Sequence, residues 1–284
     1  MSKLIAHLLK KTQLSQQQIE NILKLMEEGA TIPFIARYRK EMSGGASDAV
    51  LRDFETLYLS SKRLLEKKEE IARLIQERAT LSPEIQKRID LADNLRVLED
   101  IYRPFKENKT SRGGMAIANG LEPLANQLRS GKFSTAELRV RAKSFLNETI
   151  TSIDAALKGA QDILAQRYAE DPSNREALRA SLLRSGIMEI KKTKNFQENG
   201  VFKNFADMQE KVAYIPSHRY LAIMRGVNEK ELSVKISIAM ERVEEDIKRH
   251  AIPQNAASSK TLLFDAYMDG FKRLLFPSIE REVH

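Results

Sequence analysis

The chain has 284 residues, 47 Lys and Arg against 39 Asp and Glu for a net charge of +8, and no Cys, which excludes disulfides, a thiol nucleophile and cysteine-ligated metal. Twelve Gly and eight Pro, with only nine Val and ten Thr, favour long helices over strands, and a 42% hydrophobic content is enough for a core. No apolar run approaches the roughly 18 residues that span a bilayer, and Lys3 and His7 interrupt any secretory leader, so a soluble cytoplasmic protein is expected.

Ser15-Gln16-Gln17-Gln18 is a capping box, followed at helical spacing by Ile19, Ile22, Leu23 and Met26 until Gly29. Thr31 is then expected to cap a short helix carrying Phe34, Ile35 and Tyr38, with Pro33 in its first turn and Gly44-Gly45 at its end. From Ser47 to Ala79 there is neither Gly nor Pro. Leu51, Phe54, Tyr58, Leu65, Ile71 and Ile75 mark one stripe of a single spine helix roughly 48 Å long, with Glu69 and Arg73 paired across one turn. Ser82-Pro83-Glu84 starts another helix, and a further one ends before Pro104. Lys106 to Gly114 reads as a basic, glycine-bearing loop.

Ser134, Thr151 and Ser173, each with an acid three residues on, are expected to start helices, and Ile153, Leu157, Ala160 and Leu164 form an apolar face. Beyond Gly186 the texture changes: Ile187 to Tyr214 is weakly periodic and rich in Lys and Asn. Ser217 is the expected cap of a short helix to Gly226. Leu232, Val234, Ile236 and Ile238 alternate with polar residues as in a strand, although Met240 and Val243 also allow the start of a helix through Arg249. The last helix, Lys260–Phe276, is expected to stop at Pro277. Ser278 to His284 resembles a helix just begun, too short to stand alone, so a longer natural protein is expected.

Motifs for bond chemistry are missing from this sequence: no GxxxxGK[ST] loop, no GxGxxG after a strand, no HExxH and no GxSxG. His7, His218, His250 and His284 are far apart, and the adjacent Glu99 and Asp100 diverge on a helix. Neither a metal site, a cofactor nor an enzyme activity is expected.

Three basic clusters remain. Ser15 to Lys40 has helix-turn-helix proportions, with Arg37, Arg39 and Lys40 beside Tyr38 on its second helix. Such residues meet phosphates and base edges in a DNA reader; an ordinary helical hairpin with a solvated basic end is the favoured alternative, since this geometry recurs without that role. Arg103, Lys106, Lys109 and Arg112 are interrupted only by Glu107, with Tyr102 and Phe105 either stacking on bases or buried in the core. Lys191, Lys192 and Lys194, with Lys203 beyond, lie in a segment from Arg184 to Arg225 that holds +4 of the net charge and ends with His218, Arg219 and Arg225. That field suits a phosphate backbone, and a solvated loop suits it too. His218 and Arg219 oppose the dipole of a first helical turn, which points to partners elsewhere.

Glu28-Gly29-Ala30-Thr31-Ile32-Pro33-Phe34-Ile35-Ala36-Arg37-Tyr38-Arg39-Lys40-Glu41 resembles the N-terminal signature of the Tex family of bacterial transcription accessory proteins. Leu98 to Lys106, Gly120 to Ala125, Ile215 to Arg219 with Arg225-Gly226, and Arg273 to Glu280 are similar to four further family stretches, in family order. After Lys106 the second stretch departs from the usual pattern, with Glu107-Asn108 where the family is more basic.

The resemblance implies a cytoplasmic nucleic-acid-binding factor linked to transcription, related to a eukaryotic elongation factor that contacts RNA polymerase. It further implies a helical N-terminal region, followed in the family by an RNase-H-like domain, helix-hairpin-helix motifs and an S1 RNA-binding domain. Family affinity is attributed largely to the S1 domain, so binding by this chain alone is expected to be weak, sequence-tolerant and salt-dependent. The fold expected is mainly α, a multi-helix assembly with a helix-turn-helix-like element, a long spine helix and minor strand content near 232–238, arranged as regions 1–186 and 187–284. The expected role is scaffold and contact with RNA or DNA. The alternative is a protein-interaction module that docks RNA polymerase or another factor without its own nucleic-acid binding.

Overall fold

The computed structural model describes residues 3–106, 108–254 and 259–283; Glu107 and His284, named above, lie outside these described residues. The fold is mainly α, with one small sheet. The chain divides into two units, Met1–Phe105 and Lys106–His284.

The first unit contains α1 (Lys3–Lys11), α2 (Gln16–Glu27), α3 (Ile32–Tyr38), α4 (Lys40–Ser43), α5 (Asp48–Arg78), α6 (Pro83–Leu91) and α7 (Leu95–Tyr102). The capping box of α2 forms as its sequence predicts: the Gln18 amide donates to Ser15 Oγ at 3.3 Å and the Ser15 amide to Gln18 Oε1 at 2.8 Å. The spine helix also forms, as α5, capped by Ser47. Its length has a packing cause, because it serves two cores. Leu51 and Phe54 pack with Leu8, Ile19, Ile22, Leu25, Ile32 and Ile35 near its start. Leu64, Ile71 and Ile75 pack with Ile89, Leu98 and Ile101 near its end. The stripe runs through Leu64 rather than Leu65, which is half-buried like Tyr58, and Arg73 pairs forward with Glu77 at 3.7 Å instead of back with Glu69.

Half-buried on α1, His7 sits among Lys10, Lys11 and Lys68, and burial first, then these cations, lower its pKa below 6.5. Between the two values the unfolded chain binds the proton and the folded one does not. Stability is therefore full above about pH 6.5 and declines as pH drops toward the folded value. The wild type is expected to lose urea resistance over that window, and His7→Gln to lose less; equal slopes for both would show that His7 does not set it.

The second unit contains α8 (Arg112–Ala118), α9 (Glu122–Arg129), α10 (Thr135–Ala142), α11 (Ile153–Glu170), α12 (Pro172–Ser185), β1 (Ile187–Lys192), β2 (Gln209–Lys211), α13 (Ser217–Asn228), β3 (Leu232–Ser237), α14 (Met240–Asp246), α15 (Lys260–Gly270) and α16 (Phe276–Val283). Its centre is α11, buried at Ala156, Leu157, Ala160, Ile163, Leu164, Ala165 and Ala169. Small residues there let α8, α9 and α15 approach closely: a Cβ on Gly159 would stand 2.3 Å from Leu121 Cδ1. The strands form an antiparallel sheet in the order β2-β1-β3, and Met188, Ile190, Leu232, Phe202 and Ile223 make a second core on one side of it. Gly186, where the sequence texture changes, is the passage from α12 to this sheet.

Several expectations shift. Thr31 holds the N-cap position of α3, but its side chain accepts no capping bond, and the helix breaks at Arg39 before α4. Ser152 caps α11 instead of Thr151, Asp171 caps α12 instead of Ser173, and Pro216 precedes α13, so Ser217 is already helical. In each case the backbone's entry decides which of neighbouring residues becomes the cap. The segment Ile187 to Tyr214 holds β1 and β2, and the alternating run near Leu232 is β3, with the helix starting only at Met240. Gly113 and Gly114 belong to the first turn of α8, capped by Ser111, rather than to a loop; a Cβ at Gly113 would meet Gln166 on α11 and one at Gly114 the carbonyl of Asn108.

Pro277 does not stop the last helix. A π-turn at Phe271–Leu275 carries α15 into α16, with the Phe276 amide bonded to the Phe271 carbonyl, and Pro277 falls in the new first turn, where it needs no donor. The segment that is too short to stand alone is held by its neighbours. Ile279 is fully buried, Glu280 Oε1 accepts the Ile236 amide at 2.8 Å, and Glu282 binds the guanidinium of the buried Arg175 and, at 2.6 Å, that of Arg179.

Candidate nucleic-acid interface

The first cationic surface is built on α3 and α4. Ile32 and Ile35 anchor α3 in the core, which turns Phe34, Arg37 and Tyr38 to solvent; Phe34 is 42% and Tyr38 64% exposed. Their rings lie 5.3 Å apart, tilted by 42°. The break at Arg39 (φ −133°) folds its guanidinium back to 5.7 Å from the Phe34 ring. Arg37, Arg39 and Lys40 are exposed and make no ion pair among the described residues. Phe34 and Arg39, with Leu25 and the Glu28–Thr31 turn, line a shallow depression of about 390 Å³. Gly29 at φ 87° makes that turn. Asn21 Nδ2 donates to the Met42 carbonyl at 3.2 Å and fixes α4 against α2. Positive charge beside two open aromatic faces is the composition of a surface that stacks bases and holds phosphates.

The second cluster is divided. Arg103 belongs to the first unit, 3.9 Å from the buried carboxylate of Asp100, while Tyr102 and Phe105 pack against the Leu64–Ile101 core instead of presenting stacking faces. Lys106, Lys109 and Arg112 belong to the second unit and are exposed. The polar atoms between them face inward: Asn108 Nδ2 donates to Glu170 at 2.6 Å, and Ser111 Oγ to Gln166 at 2.6 Å while capping α8. The bond that Arg273 donates is the chief reason the Asp269 carboxyl lies below its usual pKa, with burial opposing it and Arg112 adding a smaller electrostatic pull.

In the third cluster several cations already have carboxylate partners. Lys192 bonds Glu198 at 2.9 Å, which raises its pKa, and stands 4.8 Å from the Phe196 ring. Arg219 bonds Glu210 at 2.7 Å and so ties the first turn of α13 to β2, the partner that its position against the helix dipole points to. Arg225 pairs with Glu229 at 3.6 Å. Lys191 lies 3.9 Å from Glu189. Lys194 and His218 are exposed.

Sequence reasoning missed Lys211 and Lys235, which the sheet register places on the same face as Lys191, and Tyr214, 74% exposed with Lys211 Nζ 5.9 Å from its ring. The alternation of Ser233, Lys235 and Ser237 in the strand pattern was the available signal. Among the described residues no helix is long and apolar enough to cross a membrane, and no group of three or more His, Asp or Glu is placed to hold a metal ion.

Two family models match the chain, described as Tex-like protein N-terminal domain over residues 2–76 and Tex central region-like over residues 134–283. The chain is 36% identical over 224 residues to Transcriptional accessory protein Tex of Neisseria gonorrhoeae, covering 77% of this chain and 29% of that protein. It is 35% identical over 222 residues to Protein YhgF of Escherichia coli (78% and 29%). It is 27% identical over 280 residues to human S1 RNA-binding domain-containing protein 1 (92% and 28%). The chain thus spans only 28–38% of the length of these and the other curated relatives.

Proposed function

The chain belongs to the Tex-like family, and on that premise we propose that it is the helical scaffold of a transcription accessory factor and contacts single-stranded nucleic acid through α3 and α4. One observation carries the reading: Phe34 and Tyr38 open to solvent beside Arg37, Arg39 and Lys40. Exposed large aromatics carry the cost of keeping apolar faces in water, which a stacked base removes, and unpaired cations supply the phosphate contacts. A groove-reading helix offers base contacts from its N-terminal residues. Here α3 has seven residues, and the cations lie in its last turn (Arg37) and just beyond it (Arg39, Lys40), which favours backbone and stacking contacts over duplex readout. The names of the relatives, one a transcriptional accessory protein and one an S1 RNA-binding domain protein, agree with this chemistry.

Anisotropy titrations of labelled single-stranded RNA and duplex DNA across a salt series test it. The wild-type chain should bind the single strand at low salt with a steep log–log slope. Reversing Arg37, Arg39 and Lys40 to Glu should reduce that slope by about 2, at ~0.7 per lost phosphate contact. Tyr38→Ala should cost about 1–3 kcal/mol with the single strand and less with the duplex. No binding at low salt sinks the reading and leaves Phe34 and Tyr38 as anchors for a protein partner, the second reading that the same exposed rings support.

A further inference from the structure

We infer that the solvent face of the β2-β1-β3 sheet is a second site for a phosphate-bearing single strand. It shares a ligand class with α3 and α4 but rests on different residues, so either reading can fail alone. The register defines the face. Glu189 lies opposite Lys235 on β3, Lys191 opposite Ser233, and Ile187 opposite Lys211 on β2 and Ser237 on β3. Since side chains alternate along a strand, Lys191, Lys211 and Lys235 all rise on the side opposite the buried Met188, Ile190 and Ile236. All three are exposed, and neither Lys211 nor Lys235 makes an ion pair among the described residues.

With strands about 4.8 Å apart and about 3.4 Å per residue, Lys235 stands ~8 Å from Lys191 and ~12 Å from Lys211 at the backbone. That is the span of about three stacked nucleotides at ~3.4 Å each. The hydroxyls of Ser233 and Ser237 lie on the same face. Lys, Ser and Glu are the residue types depleted from protein–protein interfaces, whereas surfaces that bind nucleic acid are polar and positive. Tyr214, following β2 by three residues and 74% exposed, adds a stacking plate that a paired base cannot reach, which selects a single strand. Glu189 in the middle offsets one of the three charges and is 3.9 Å from Lys191. It weakens phosphate binding.

The test compares the full chain with Lys191→Glu/Lys235→Glu and with Glu189→Gln, all surface changes checked by circular dichroism, on a labelled single-stranded RNA at low salt. Measurements are repeated in the background in which Arg37, Arg39 and Lys40 are reversed. The double reversal should weaken binding about tenfold or more and reduce the salt slope by about 1–2 in both backgrounds. Glu189→Gln should tighten binding several-fold, a gain that a merely structural Glu189 would not give. Unchanged affinity and slope for both variants overturns the site while leaving α3 and α4 intact. Loss that appears only on reversing Arg37, Arg39 and Lys40 overturns it too. Binding of polyglutamate that depends on Lys191 and Lys235, with RNA binding unaffected, assigns the face to an acidic protein and likewise rules the site out.

Discussion

Replacing Glu282 with alanine is expected to destabilise the second unit by about 3–5 kcal/mol, the cost of removing one partner from a buried ion pair. Arg175 on α12 is 1% exposed, and its guanidinium donates to Glu282 and, at 3.2 Å, to Ser278 Oγ. Arg179, one turn on, donates to the other carboxylate oxygen at 2.6 Å. Alanine removes the carboxylate that the two guanidinium groups share in a poorly hydrated site. The α16 helix should then detach from α12, and with it the Glu280 carboxylate that accepts the Ile236 amide of β3. Urea titration followed by hydrogen exchange would show protection lost over α12, β3 and α16. Glu282→Gln keeps an acceptor and should lose less, and Arg175→Met combined with Glu282→Leu should recover much of the stability, since a matched apolar pair avoids desolvating charge. A loss below about 1 kcal/mol for Glu282→Ala would show that the pair behaves as a surface salt bridge and does not hold α16 in place.

Gly270→Ala should cost about 1–3 kcal/mol, although alanine is the better helix former by about 1 kcal/mol. Gly270 ends α15 where it crosses α11, and a Cβ there would stand 2.4 Å from the Ala165 carbonyl oxygen and 3.0 Å from its carbonyl carbon. These are backbone atoms of the most buried helix in the unit, so nothing can rotate away and the two helices must part. Ser130→Ala is a useful contrast, because it removes only two local hydroxyl bonds, one donated to the Gln127 carbonyl and one accepted from the Lys132 amide. A thermal midpoint for Gly270→Ala equal to or above wild type would mean that α11 and α15 have room between them.

Much of the helical layout is readable because its signals are local. Ser15 with Gln18 and Ser134 with Glu137 form the capping boxes their spacing predicts, and the run without Gly or Pro from Ser47 to Ala79 is one helix. Ser152 and Asp171 displace the neighbouring residues that the spacing favours as caps, since a cap depends on where the incoming chain turns, which composition does not encode. Pro277 reads as a stop because a lone helix cannot supply the shifted bonding of a π-turn without packing to hold it.

The candidate site divides along the same line. Charge, lack of Cys, helical content and the three basic clusters follow from residue identity alone. Which cations stay open does not, because it depends on how the fold turns neighbouring carboxylates toward them: Lys192 and Arg219 find Glu198 and Glu210, six and nine residues away, while Arg37, Arg39 and Lys40 find none among the described residues. Phe34 and Ile35 are adjacent apolar residues with equal claims on a core. Only the docking of α3 against α2 and α5 buries Ile35 and leaves Phe34 in water, because a helix has one inward face and its rotation is chosen by the helices it packs on.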